Sequence, residues 1–278
     1  MRLPIKSGWL LVLPFLLLVG GLFLGPILNV LWISVTDPAP GFGNYAQLGS
    51  SDTLRRILWT TLRVCVICTA FSVILGYSIA YAMVHATGPA QSRMVGLLLI
   101  SFWISVLVRT FSWLMLLGRN GVVNSGLEAL GIITAPIAFM RNELGVLIGM
   151  VHYMVPYAVL PMLAAMREID PRLLAAARGL GASRFTVFSR IFLPLSAPGL
   201  IAAGVLVFIV TLGFYITPAI LGGGKTLMAA EWIKIQILDL VRWGMGAMLA
   251  TVLVVAILTT LAVFARVVDL RRVFGGGR

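Results

Sequence analysis

The sequence predicts an all-α membrane protein with six transmembrane helices, because of its composition, the length of its apolar segments and the placing of its basic residues. Hydrophobic residues make up 60% of the 278 residues, whereas charged residues make up only 11%. A soluble domain normally carries about 25% charged residues, and the mean hydropathy of this chain is +1.05. We therefore expect lipid to be the solvent for most of the chain.

Six apolar segments reach the roughly 20 residues that a helix needs to cross the hydrocarbon of a bilayer. The predicted spans are Trp9–Ser34, Leu58–Met83, Met94–Leu117, Leu144–Ala165, Ile191–Ile220 and Met245–Val268. The first is longer than the apolar core of a signal peptide, about 7–15 residues, and no small-residue cleavage pattern follows it. We expect it to be retained, so that residues 1–55 form a first helix and external loop, 56–268 a core of five helices and 269–278 a cytoplasmic tail.

The basic residues of the connecting segments predict the orientation of the spans. With the amino terminus inside, twelve Lys and Arg residues fall on cytoplasmic segments and seven on external ones. Both termini are therefore predicted to be cytoplasmic. The formal net charge of +12 then needs no nucleic acid as partner, because positive cytoplasmic loops and anionic lipid account for it.

Two patterns that resemble chemical motifs are interpreted as structural. Cys65 and Cys68 form a CxxC pattern inside the second span, where lipid disfavours thiolates and no second ligand pair is present, so we expect packing residues rather than a metal site. Gly224–Lys225–Thr226 matches the end of a phosphate-binding loop, but Ala219 stands where that motif requires its first glycine. The sequence thus predicts no ATP-hydrolysing machinery and no resident cofactor or metal.

The cytoplasmic segment Arg167–Arg190 is predicted to form a helix, a turn and a second helix that runs toward Ile191 before Pro194 and Pro198 disturb it. An ordinary solvated loop is the alternative. The stop and start signals are Asp170 and Ser183 as N-caps, Pro171 in a first turn, and Gly179 or Gly181 as a left-handed stop. An external stretch, Ala230–Trp243, has one charged face and is predicted to be a short interfacial helix.

This cytoplasmic segment resembles the EAA motif of permeases of ATP-binding-cassette importers: Glu-Ala-Ala, three residues, Gly, nine residues, Ile-x-Leu-Pro. The chain has Ala175–Ala176–Ala177, Gly181, and Ile191, Leu193 and Pro194 at that spacing. Only the glutamate is absent, because Ala175 takes its place. Either the polar contact of this segment with the ATPase is weaker here, or one of Arg178 and Arg184 makes that contact. In the family this segment is the coupling helix that sits in a groove of the ATPase. The resemblance implies these coupling residues: Asp170, Pro171, Leu174, Ala175, Ala176, Ala177, Arg178, Gly181, Ala182, Ser183, Ile191, Leu193 and Pro194.

Four further segments are similar to permeases of the spermidine/putrescine type: Phe102–Trp113, Gly118–Asn124, Ile169–Ser183 and Thr217–Gly223. The resemblance implies a non-catalytic permease subunit of the bacterial inner membrane. It also implies two ATP-binding subunits that hold ATP and Mg²⁺, an extracytoplasmic substrate-binding protein, and a second, homologous permease, with a heterodimer favoured over a homodimer.

The implied mechanism is alternating access, with a path along the third, fourth and fifth spans. Pro156, Pro161 and Pro218 mark either irregular backbone there, which membranes tolerate where it faces protein or a watery cavity, or a simple kink in each helix. Arg109 is a charged residue at depth, and such residues are functional hypotheses by default. The candidate path residues are Trp103, Arg109, Trp113, Tyr153, Phe214 and Tyr215.

The solute is predicted to be a polyamine or a related small polar compound, such as an amino-acid derivative, an opine-like compound or an organophosphonate. No Asp or Glu lies inside the spans, and Phe214 stands where polyamine permeases usually carry an acid. Aromatic side chains could contact a cation instead, whereas Arg109 suits an anion better. An ion-coupled secondary transporter is the alternative and should show broken half-repeats and midplane acids. An intramembrane enzyme would need a catalytic pair, and His152 has no obvious partner.

Overall fold

The computed structural model describes residues 5–267, with side chains from residue 12 to residue 266, and this part of the chain is helical throughout apart from its connecting segments. The predicted tail 269–278 and the last residue of the sixth predicted span, Val268, lie outside the described residues. The helices are α1 (Ile5–Val19), α2 (Gly25–Thr36), α3 (Gly43–Ser50), α4 (Asp52–His85), α5 (Pro89–Trp103), α6 (Val106–Leu116), α7 (Val122–Ala129), α8 (Glu143–Arg167), α9 (Pro171–Gly179), α10 (Arg184–Val187), α11 (Leu193–Leu212), α12 (Ile216–Leu221), α13 (Ala229–Lys234) and α14 (Trp243–Val267).

Three π-helical turns occur in the described chain. Gly20–Leu24 joins α1 to α2, Phe188–Phe192 joins α10 to α11, and Ile235–Asp239 extends α13. The last of these lies within the stretch that was predicted to be a short helix. The all-α fold class is confirmed.

Five continuous helical stretches are long and apolar enough to cross a membrane. They are Val12–Thr36, Asp52–His85, Glu143–Arg167, Arg184–Leu212 and Trp243–Arg266. The predicted limits of the fifth span are wrong at both ends. The helical stretch starts before the predicted Ile191, because the π turn Phe188–Phe192 accommodates the ring of Pro194, which would clash in a regular α turn. Its last helix, α11, ends at Leu212, eight residues before the predicted limit at Ile220.

The third span is two helices rather than one. The axes of α5 and α6 differ by 96° across a break at residues 104–105, so the prediction of a continuous helix over Met94–Leu117 is wrong. Ile104 and Ser105 both have extended ψ angles, 130° and 138°. Hydropathy cannot detect this break, because both halves of the segment are equally apolar.

The described chain divides into two compact units. Among the described residues, the first comprises residues 5–56 and Trp232–Val255, and the second Ile57–Glu231 with residues 256–267. In the first unit, the Asn44 amide donates to the main-chain oxygens of Ser34 (3.2 Å) and Asp37 (2.7 Å). The Asp37 carboxylate in turn accepts from the main-chain N–H of Gly244 at 2.6 Å.

The core of the second unit is centred on α8, which packs most extensively on α11. Small residues allow the close approach: a Cβ on Gly199 would lie 2.5 Å from Ala165 Cβ, and one on Gly76 would lie 2.7 Å from Ala158 Cβ. Methionines fill the remaining space, with Met150, Met154, Met162 and Met166 buried. Cys65 and Cys68 are buried free thiols, as expected for residues that only pack in the core.

Candidate coupling segment and translocation cluster

The segment from Asp170 to Thr186 has the predicted helix–turn–helix form, which excludes an ordinary loop. A side-chain oxygen of Asp170 accepts a hydrogen bond from the main-chain N–H of Arg172 at 2.8 Å, and Ser183 Oγ accepts one from Thr186 at 3.1 Å. Gly181 has φ +87°, a conformation that costs glycine little. Gly181 is therefore the left-handed stop, since Gly179 still belongs to α9.

One face of α9 is buried and the other is open. Leu174 packs inward, whereas Leu173, on the adjacent face, and Leu180, at the C-cap, are 51% and 90% exposed. Phe185, in the first turn of α10, is 77% exposed. We call Leu173, Leu180 and Phe185 the α9–α10 apolar patch.

The second half of the predicted motif lies elsewhere. Ile191 belongs to the π turn, and Leu193 and Pro194 begin α11. The motif residues therefore fall into two sets. Those from Asp170 to Ser183 shape the helix–turn–helix, and the last three belong to the helix that continues into the fifth span.

Arg109, in α6, is 5% exposed and lies where α5 ends. Its Nη2 donates to the main-chain oxygen of Ser101 and to that of Ile104 (3.3 Å). The guanidinium carbon lies 4.9 Å from the ring centroid of Tyr153. Its Nε has no partner among the described residues. The carbonyl dipoles at the end of α5 and an aromatic face thus accept this charge, with no carboxylate in contact.

Tyr153, which contacts this arginine, belongs to a row of four aromatic rings. Tyr153 stacks on Tyr157 with centroids 5.5 Å apart, and their hydroxyls are 3.2 Å apart. The ring centroid of Phe214 lies 4.7 Å from that of Tyr153, and the ring centroid of Phe102 lies 5.1 Å from that of Tyr157. Arg109 and these four residues form the aromatic cluster. It joins three of the predicted path residues, Arg109, Tyr153 and Phe214.

The other predicted path residues lie apart from this cluster. Trp113 Nε1 donates to His152 Nδ1 at 3.1 Å, and an indole N–H satisfies the histidine without forming the catalytic pair that an enzyme would need. Both line a largely apolar cavity of about 720 Å³ between α4, α5, α6 and α8. Trp103 is 84% exposed beside the α5–α6 break, and Tyr215 is exposed just before α12. The structure does not bring Trp103 or Tyr215 into ring contact with the cluster.

The prolines do not mark the irregular backbone. Helix α8 continues through Pro156 and Pro161, and Pro218 lies inside α12. The breaks are instead at residues 104–105 and 213–215. Phe102 of the aromatic cluster lies just before the first break, and Phe214 lies within the second. The hydroxyls of Thr110 in α6 and Thr217 in α12, both buried, are 3.3 Å apart and join the helices that follow these two breaks.

Comparison with known proteins identifies the chain. Residues 72–274 match the sequence profile of the family described as "Binding-protein-dependent transport system inner membrane component". The chain belongs to this family. The permease is 32% identical to the spermidine/putrescine transport system permease protein PotB of Escherichia coli (strain K12), over 93% of this chain and 94% of the relative. It is 33% identical to the protein of that name from Haemophilus influenzae, over 80% of this chain and 78% of the relative.

A solved structure shows the same fold. A subunit of a bacterial ABC transporter involved in the import of the acidic polysaccharide alginate superposes on the permease with a TM-score of 0.75, covering 94% of this chain and 97% of that one at 19% identity. The predictions of a permease subunit of an ABC importer, non-catalytic and multi-pass in the inner membrane, are confirmed. Neither alternative, the secondary transporter or the intramembrane enzyme, is supported.

Sequence reasoning missed several residues of the permease's cluster. Tyr157 was overlooked although it lies one helical turn from Tyr153, a spacing that places two side chains on the same face of a helix. Phe102 lies in the family-like segment Phe102–Trp113 but is not among the predicted path residues. The Thr110–Thr217 contact joins residues 107 positions apart and leaves no local signal in the sequence.

Proposed function

We propose that the permease imports a polyamine or a related small amine-bearing solute by alternating access, driven by a separate ATPase that docks on α9 and α10. The observation that carries the proposal is the α9–α10 apolar patch, which is held on a capped, rigid helix pair and has no partner among the described residues. The basic residues of this segment favour its placement on the cytoplasmic side, with both termini.

The patch supports docking of a protein rather than exposure to water. Burying a leucine or phenylalanine side chain contributes about 1.5–3 kcal/mol, so covering Leu173, Leu180 and Phe185 is enough to hold a specific contact. The two N-caps contribute about 1 kcal/mol each to helix stability. A stiff helix transmits a displacement of the ATPase to the spans, as coupling between two sites requires.

The two helix breaks support a path next to the aromatic cluster. Irregular backbone at membrane depth is tolerated where it faces protein or lines a watery cavity, and Phe102 of the cluster lies just before the first break whereas Phe214 lies within the second. Aromatic faces attract ammonium groups by about 0.5–2 kcal/mol. An amine-bearing solute therefore fits these rings, in keeping with the names of the PotB relatives.

The working unit proposed here contains this chain, a homologous but non-identical permease, two ATPase subunits that bind ATP and Mg²⁺, and an extracytoplasmic binding protein. The family description, which names binding-protein-dependent transport, supports the last of these. In the permease, residues 56–268 are proposed as the transport core, and the family match begins inside this range.

Reconstitution of these subunits in liposomes tests the proposal. We expect uptake of labelled spermidine or putrescine to require both internal ATP and the binding protein. Uptake by the permease alone, driven by an ion gradient, would contradict the ATP-driven mechanism. ATP-driven uptake of an organophosphonate that carries no amine, such as methylphosphonate, but of neither amine would contradict only the assignment of the solute.

A further inference from the structure

A small cavity lies beside α9 and is lined in part by its buried residue Leu174. It has a volume of about 120 Å³ and lies among the last turns of α4, α9, α10 and the π turn Phe188–Phe192, and it opens to the surface where its lining residues His85, Arg178 and Arg184 are exposed. Its apolar wall includes Leu174 and the rings of Tyr81 and Phe188, whose centroids are 5.5 Å apart. The cavity is therefore built from four separate elements rather than from one surface loop.

The polar part of this cavity is basic. Arg178 from α9, Arg184 from α10 and His85 from the end of α4 all line it. The Nδ1 of His85 is 2.9 Å from the main-chain oxygen of Tyr81, which fixes the imidazole ring on its own helix. No lining residue carries a carboxylate, and within the described chain neither arginine forms an ion pair.

Two arginines that line one small cavity without a counter-charge favour an anion between them. Guanidinium groups match the oxygens of a phosphate group and can bind it through paired hydrogen bonds. At about 30 Å³ for each water molecule, the cavity has room for roughly four, which is comparable to the four oxygens of one phosphate group. A nucleotide or an acyl chain is too large to be enclosed there.

The position of the cavity matches the headgroup layer of a bilayer. Helix α4 has 34 residues, or about 51 Å at 1.5 Å per residue, whereas a bilayer with its headgroups is about 40–45 Å thick. Its apolar stretch ends near Met83, so Tyr81 and His85 lie near the boundary. Basic pockets between transmembrane helices at this level can hold phospholipid headgroups.

We propose that this cavity is a binding site for a phosphate group, with Arg178 and Arg184 as its ligands. The group comes either from the headgroup of an anionic lipid or from free phosphate. A phosphate bound there ties α9 to α10, and so fixes the relative position of the two helices that bear the apolar patch. The site does not depend on which solute is imported or on how ATP hydrolysis is coupled to import.

Calorimetric titration of the full-length permease in an uncharged detergent tests the site, with inorganic phosphate and with short-chain, water-soluble dihexanoylphosphatidylglycerol as probes. The key variant is R178Q/R184Q. Its matched control is R172Q/R190Q, which removes two arginines of the same segment that do not line the cavity. The charge-preserving variant R178K/R184K tests whether positive charge rescues binding.

We expect the wild-type chain to bind one phosphate group and R178Q/R184Q to bind it at least about tenfold more weakly, since a hydrogen bond to a charged group contributes about 1.5–3 kcal/mol. R172Q/R190Q should bind within about twofold of wild type, because a general charge effect is screened by salt. Binding of phosphate by R178K/R184K with an affinity close to that of the wild type would support the site. Tighter binding of the lipid probe than of inorganic phosphate identifies a lipid headgroup as the source, and the reverse order identifies free phosphate.

Three results would overturn the proposal. One is the absence of binding by either probe, and another is an equal loss of affinity in R178Q/R184Q and R172Q/R190Q. The third is loss of binding when the assembled transporter, with its ATPase subunits, replaces the permease alone, because an acidic side chain of the partner would then fill the cavity. Circular dichroism of each variant establishes that the helical fold is intact.

Discussion

Arg109 and Tyr153 connect two helices of the second unit through a cation–π contact of 4.9 Å. The same guanidinium donates to the main-chain oxygens of Ser101 and Ile104, at the point where α5 ends. The last carbonyls of a helix lack partners within it and carry partial negative charge. Arg109 therefore stabilises the end of α5 and holds the α5–α6 break against α8, although no carboxylate contacts it.

Replacing Arg109 by methionine should destabilise the permease. The variant R109M keeps an unbranched side chain of moderate length but leaves the carbonyl oxygens of Ser101 and Ile104 without their donor. We expect the free energy of unfolding to fall by about 1–3 kcal/mol. Thermal unfolding in detergent measures the change. The matched control is R119M, at an exposed arginine after α6, and equal midpoints for the two variants would contradict the role assigned to Arg109.

Gly199 and Gly204 should respond in opposite directions to the same substitution. A Cβ at Gly199 would lie 2.5 Å from Ala165 Cβ and 3.1 Å from the main-chain oxygen of Pro161. G199A should therefore push α8 and α11 apart and cost about 1–3 kcal/mol of stability. At Gly204 the nearest atom, Val73 Cγ2, is 3.9 Å away, so G204A should be neutral or stabilising by up to about 1 kcal/mol.

The unfolding midpoints of G199A and G204A, measured in the same detergent, check this pair. A G199A protein as stable as wild type would show that α8 and α11 can separate without loss. Such a result would argue against close packing as the reason for a glycine at this position.

The helix–turn–helix formed by α9 and α10 could be predicted in detail because its signals are local. Asp170 and Ser183 cap the helices that follow them, and Gly181 adopts the left-handed conformation that its place after α9 requires. Such preferences act over three or four residues and do not depend on the rest of the fold. They are therefore readable in a single sequence.

The broken third span could not be predicted in the same way. Hydropathy reports whether a segment is apolar, and it stays high on both sides of the bend between Trp103 and Val106. The break is stabilised by Arg109, whose partners belong to the preceding helix and to α8. The bounds of the fifth span could not be predicted either. A proline such as Pro194 normally signals the end of a helix, but here the preceding π turn lets the helix continue through it.

Tyr153 should contribute to solute binding through its ring rather than its hydroxyl. Y153L removes the aromatic face beside Phe214 and Tyr157, and we expect a rise of about two- to thirtyfold in the KM for ATP-driven uptake if a cation–π contact of about 0.5–2 kcal/mol is lost. Y153F keeps the ring and loses only the hydroxyl contact with Tyr157, so its KM should change about twofold or less.

Initial rates of labelled spermidine or putrescine uptake in proteoliposomes measure this KM. W59L serves as the matched control, because Trp59 is an exposed aromatic residue on α4 that has no contact with the cluster. A KM for Y153L equal to that for W59L would show that the solute does not contact this ring.

Leu180 should be required for attachment of the ATPase but not for the fold of the permease. Its side chain is 90% exposed, so L180E places a carboxylate where water already reaches, and surface substitutions of this kind usually change stability by about 0.5 kcal/mol or less. At an apolar interface the same carboxylate would be buried without a partner, which costs several kcal/mol. We therefore expect L180E to retain its unfolding midpoint and to lose copurification with the ATPase subunits. The matched control is L130E, at a leucine that is 75% exposed but lies after α7. Copurification that survives L180E as well as it survives L130E would place the ATPase contact on a different surface.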